Sequence, residues 1–109
     1  MYYASNTGLI PSFPTQVPTP NSVFRALADP TRRRILQLLR NGPLTSGDIA
    51  AHFETAWPTI SRHLSVLREA DLILAERNGN SIRYELNTTV FHDVVDGLLD
   101  LVQPGGRDA

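Results

Sequence analysis

The chain holds 109 residues, 41% of them apolar and 19% charged, a size and balance that fit one soluble domain with a modest core. It contains no cysteine, which excludes disulfides, thiolate metal sites and cysteine nucleophiles. All ten basic residues are arginine and the formal charge is −1, so composition alone does not point to nucleic acid.

That charge is unevenly spread. Residues 1–89 carry nine arginines against seven acids, whereas residues 90–109 carry one arginine against four aspartates. No apolar run approaches the ~20 residues of a membrane span. The N-terminus lacks the basic segment and continuous apolar stretch of a secretory signal, which makes a cytoplasmic protein the default expectation.

Residues 1–20, MYYASNTGLIPSFPTQVPTP, are uncharged and hold four prolines, a composition that reads as an extended arm. Tyr2, Tyr3, Leu9, Ile10 and Phe13 are more apolar than disordered tails usually are. A flexible tail and an arm packed on its own or a partner subunit both stay open. The domain proper is expected over residues 21–103, followed by a tail at 104–109.

Four helical segments come next. Ser22 to Ala28 places Val23, Phe24 and Leu27 on one side. Asp29-Pro30 reads as an N-cap followed by a first-turn proline, opening a helix that stops at Asn41-Gly42-Pro43. Thr45 with Asp48 three residues on is a weak capping box for a short helix to about His52. Thr55 is expected to cap a fourth helix, in which Pro58 is harmless because first-turn amides have no intrahelical acceptor.

Beyond Asp71 the period becomes two. LILAERNGNSIRYEL reads as a β-hairpin turning at Asn78-Gly79 or Gly79-Asn80. Ile73 and Ala75 share a face with Ile82, Tyr84 and Leu86. A last helix runs from about Val90 to Val102. This order of elements makes a winged helix-turn-helix, mainly α with a hairpin wing.

On the fourth helix Ile60, Leu64 and Leu67 fall at i, i+4 and i+7, a core-facing stripe. The opposite face carries Trp57, Pro58, Ser61, Arg62 and Ser65. Small hydroxyls and one arginine let a helix sink into the major groove, about 12 Å wide, and reach base edges. The Trp57 indole suits a thymine methyl or a sugar, and equally an anchor on its own domain.

The segments LADPTRRRILQLL, LTSGDIAAHF, PTISRHLSVLREADLI and ERNGNSIRYEL, in that order, resemble the ArsR/SmtB family of dimeric bacterial transcriptional regulators. The resemblance covers about residues 22–102. It implies a sequence-specific repressor that binds an inverted-repeat operator in double-stranded DNA as a homodimer. It places Trp57, Pro58, Thr59, Ser61, Arg62 and Ser65 in the groove and Arg77, Asn80 and Arg83 on the wing. It also assigns the dimer to the first and last helices, through Val23, Phe24 and Leu27 and through Phe91, Val94, Val95, Leu98, Leu99 and Val102.

The last helix supports a dimer by itself, because so small a domain has little with which to cover that stripe. A buried internal helix is the alternative. Arg32, Arg33 and Arg34 span about 200° of helical arc, so they cannot all reach phosphate, and at least one is expected to pair with Asp29 or another acid. His63 reads as a hydrogen-bonded structural histidine ahead of a base reader.

Many members of the resembled family sense metals, either through thiolates at the start of the third helix or through histidines and carboxylates on the last helices. Leu44-Thr45-Ser46-Gly47-Asp48 lacks the thiolates. The last helix has one histidine, His92, followed by Asp93, Asp96 and Asp100, a set that would suit Ni²⁺, Zn²⁺ or Co²⁺. A solvated acidic face is the simpler reading, so no cofactor is expected.

No catalytic residues are expected either. Ser61 and His63 lie two apart on a helix and point in different directions, and no phosphate loop or paired-carboxylate pocket stands out. A winged helix that binds only protein is the remaining alternative.

Overall fold

The computed structural model describes residues 20–104. The arm assigned to residues 1–20 therefore lies outside the described residues, except that Pro20 opens the first helix. The tail assigned to 104–109 likewise lies outside them apart from Pro104.

The elements run α1 (Pro20–Leu27), α2 (Pro30–Leu38), β1 (Leu44–Thr45), α3 (Ser46–Ala50), α4 (Trp57–Glu69), β2 (Ile73–Asn78), β3 (Ser81–Leu86) and α5 (Thr88–Val102). This is the mainly helical winged helix-turn-helix expected. The core is a single apolar cluster drawn from α1, α2, α3, α4 and the hairpin, with Ile35, Ile49, Ile60, Leu67, Leu72 and Ile73 fully enclosed.

Local chemistry sets most of the boundaries. Asp29 caps α2 by accepting the Arg32 backbone N–H at 3.1 Å, with Pro30 in the first turn. The end of α2 tightens into a 3₁₀ turn, Leu39–Asn41. Thr45 Oγ1 accepts the Asp48 N–H at 3.1 Å and caps α3, which stops at Ala50, short of His52. Thr55 does not cap α4. The helix starts one residue later, with Ala56 extended at the cap position and no side-chain bond, since Trp57 and Pro58 occupy the first two helical positions.

The end of α4 is tied down twice. Asp71 N–H donates to the Arg68 carbonyl (2.9 Å) and Leu72 N–H to the Leu67 carbonyl (3.0 Å). This is a Schellman closure, and Asp71 takes the left-handed φ of 59° that glycine usually supplies there. Leu67 and Leu72, both fully buried, make its apolar contact.

The sheet order is β1-β3-β2, antiparallel throughout. Asn78 pairs with Ser81, so the turn is Gly79-Asn80, with Gly79 at φ 66°. The resulting register sets Ile73 opposite Leu86 and Ala75 opposite Tyr84, the inward face expected. The two-residue β1, pairing Leu44 with Tyr84, was not anticipated.

Burial raises the Asp29 carboxyl's pKa, but the Arg32 N–H, the nearby His63 and Arg32 charges and the Thr31 N–H together outweigh it and hold the group below its ordinary value of 3.8. A depressed folded pKa stabilises the protein above the ordinary value and loses that effect as pH falls through the folded one. Asp29→Ala should therefore cost about 1 kcal/mol in urea unfolding at neutral pH. The gap to wild type should persist down to the ordinary carboxylate range and close below it.

Candidate nucleic-acid interface

Two faces of α4 divide its residues. Ile60, Leu64 and Leu67 are no more than 2% exposed, whereas Trp57 is 48% exposed and Pro58, Ser61, Arg62 and Ser65 are open to solvent. About half of the Trp57 surface is thus left open by its own domain. Thr59 sits on the flank, half-buried. Among the described residues no hydrogen bond or ion pair holds Arg62, so its guanidinium is available to reach outward.

The wing arginines are not equivalent. Arg83 lies opposite Glu76 on the outer face of the hairpin, and strand alternation puts Glu85 on that same face. Two carboxylates thus share its face of the hairpin. Arg77 lies opposite Ile82, on the face turned toward the helices and one pair from the Gly79-Asn80 turn, yet it is exposed. Asn80 occupies the turn itself.

Behind α4 stands a polar junction. Arg32 Nε donates to the Ala26 carbonyl at 2.8 Å and Nη2 to the Arg25 carbonyl at 2.9 Å; Arg33 Nη1 donates to the Leu27 carbonyl at 2.9 Å. Two of the three arginines therefore close the C-terminal end of α1, where orphan carbonyls and the helix dipole favour cations. The expected carboxylate pair is replaced by these carbonyls, with only the Arg32 backbone N–H bound to Asp29. Arg32 Nη1 also lies 3.2 Å from His63 Nδ1, and Asp29 Oδ2 lies 3.9 Å from the same nitrogen. His63 is hydrogen-bonded structurally, as its sequence context indicated. Its partner lies 31 residues away, a pairing no local pattern could reveal.

At the other end, α5 has no fully buried residue. Phe91 and Val94 pack partly on the core, as does Leu27 on α1, and Val23 is 5% exposed with little surface left for a partner. The open apolar row is Phe24, Val95, Leu98, Leu99 and Val102, joined by Leu101 at 78% exposure, which the helical spacing did not single out. His92 borders an open apolar cavity of about 340 Å³ shared with Leu36, Gln37, Arg40, Leu86, Thr88 and Phe91. Asp93 and Asp96 are exposed. Within one protomer no three or more histidines and carboxylates come together among the described residues.

A helix-turn-helix with a free polar recognition face and a hairpin wing defines a DNA-binding domain. Residues 29–74 match the bacterial regulatory proteins of the arsR family. The chain is 48% identical over 88 residues to the transcriptional repressor SdpR of Bacillus subtilis, covering 81% of this chain and 98% of that one. It is 35% identical to the arsenical resistance operon repressor of Staphylococcus xylosus over 75% of this chain and 78% of the relative. A crystal structure of an ArsR family transcriptional regulator superposes with a TM-score of 0.71 at 32% identity, over 74% of this chain and 89% of that one. The protein belongs to the ArsR family. It is a DNA-binding transcriptional regulator, not an enzyme.

Proposed function

We propose that the protein is a cytoplasmic repressor that binds an inverted-repeat operator as a homodimer, with α4 in the major groove and the hairpin beside it. The observation that carries the dimer is the open apolar row on α1 and α5, which a two-fold copy would cover with itself. Repression follows the function in the names of the relatives SdpR and the arsenical operon repressor. No helix among the described residues is long and apolar enough to cross a membrane, in keeping with a partner that is DNA.

In this reading Ser61, Arg62 and Ser65 reach base edges, Trp57, Pro58 and Thr59 line the approach, and Arg77 and Asn80 meet the flanking backbone. Arg83, which shares its face with Glu76 and Glu85, contributes less. A response to arsenicals would need soft ligands, and the chain has no cysteine. For borderline ions we propose at most a weak site anchored by His92 with Asp93 or Asp96, duplicated by two-fold symmetry. The cavity beside His92 is apolar, which offers a cation no further ligand there.

Footprinting should show two protected half-sites centred about 10 or 20 base pairs apart. Sedimentation should give a dimer at micromolar concentration, and a DNA-bound monomer would defeat the two-fold reading.

Arg62→Ala should cost roughly 1–3 kcal/mol on the selected site and relax preference at one position. Arg77→Ala should weaken all sequences about equally and reduce the salt slope by about 1, with Arg83→Ala doing less. Equal slopes for all three proteins would remove the wing assignment.

Calorimetric titration with Ni²⁺ and Zn²⁺ checks the metal proposal. Wild type and His92→Ala should both show at most weak binding, and sub-micromolar affinity lost in the variant would establish a sensor site.

A further inference from the structure

The junction behind α4 is sensitive to protonation state. A guanidinium has donors and no acceptor, so the 3.2 Å contact from Arg32 Nη1 requires the His63 Nδ1 lone pair. For this contact to be a hydrogen bond, the ring proton must sit on Nε2 with the imidazole neutral. Arg32 is not free to yield, because Nε and Nη2 are already committed to the Ala26 and Arg25 carbonyls. The recognition helix is thus tied to the end of α1 through one histidine, which is only 17% exposed at its side chain.

We propose that Arg32 is a positioning residue for DNA readout, acting through His63, and that protonating His63 reverses the tie and lowers operator affinity. This rests on the reading of α4 as the groove helix. A proton on Nδ1 would point at a guanidinium and add a like charge beside it. Asp29 Oδ2 lies 3.9 Å away, beyond hydrogen-bond range, so a ring that donates to it must leave Arg32 and move toward Asp29. The neighbouring charges are Arg25 on α1, Asp29, Arg32 and Arg33 at the start of α2, and Arg62 on α4 itself. Asp29 is the one anion among these, which makes it the counter-ion. Because base contacts tolerate only a few tenths of an ångström, a shift of this kind degrades specific contacts, while the extra positive charge favours phosphate indiscriminately. The ratio of specific to non-specific affinity therefore carries the signal.

The experiment uses the full chain, a duplex it selects from a random-sequence pool at about pH 8, and a shuffled duplex. Between about pH 8 and pH 5.5, where histidine changes charge, the wild-type affinity ratio should fall about tenfold, the worth of one well-aligned base contact. His63→Asn offers Oδ1 to Arg32 but cannot be protonated. It should keep the ratio seen at high pH and remain flat. An equal fall in the variant, or no fall in wild type, overturns the proposal.

Trp57, the single tryptophan, lies on the same helix and is half-exposed, so its emission follows the helix without DNA. A transition in that pH range that disappears in His63→Asn supports the proposal, and identical curves overturn it. If no duplex is selected, the DNA-binding reading fails while this readout still decides the switch. Circular dichroism at each pH verifies folding. Should His63→Asn fail to fold, Asp29→Asn replaces it. Removing the negative charge beside the protonated ring should move the midpoint to lower pH, and an unmoved midpoint overturns the proposal.

Discussion

Ile60, Leu64 and Leu67 bury themselves almost completely beneath α4, and the orientation of every other side chain on that helix follows. With those three positions fixed in the core, the 3.6-residue repeat leaves Ser61, Arg62 and Ser65 facing solvent. The Schellman closure at Asp71 extends the constraint, because Leu72 enters the same cluster and delivers the chain directly into β2. Recognition helix and wing are therefore set against each other by a single apolar contact region, with no long loop between them. A groove reader needs this rigidity, since its contacts are short and directional.

The opposite end of the molecule is built on a different balance. Helix α5 packs on the core only through its first half, with Val90, Phe91 and Val94, and then carries Val95, Leu98, Leu99, Leu101 and Val102 away from it. A chain of this size buries a smaller share of its surface than a large domain does, so an uncovered row is a substantial loss of available stabilisation. Its aspartates lie in the same helix yet far along the sequence from α4. These three aspartates are thereby kept on the element proposed for self-association and away from the start of the groove-facing helix.

Much of this was legible in the sequence because it is local. Asp29-Pro30, Thr45 with Asp48, the hairpin parity and the α4 stripe each depend on residues within one or two turns. Where the reading slipped, the cause was a competing local choice or a distant partner. Thr55 lost the cap to Ala56, which puts Pro58 at the second helical position where a Thr55 cap would have put it at the third. The two-residue β1 is too short to show a period. Asp71 stands where the left-handed cap would ordinarily advertise itself by a glycine. The Arg32–His63 contact spans α2 and α4, and spacing on α2 could show only that three arginines cannot share one task.

The arginines also explain how a chain of net charge −1 serves as a DNA-binding protein. Arg32 and Arg33 are committed to the carbonyls of α1, and Arg83 shares its face of the hairpin with Glu76 and Glu85, while the other seven arginines are spread along the rest of the chain. Non-specific affinity scales with the number of cations that reach phosphate, and a net charge of −1 gives it no general excess to draw on. Discrimination must then come chiefly from base-edge contacts and from the accuracy with which α4 is held. A weakly charged reader leaves random DNA easily but tolerates little displacement of its recognition helix, which gives the polar junction behind that helix its importance.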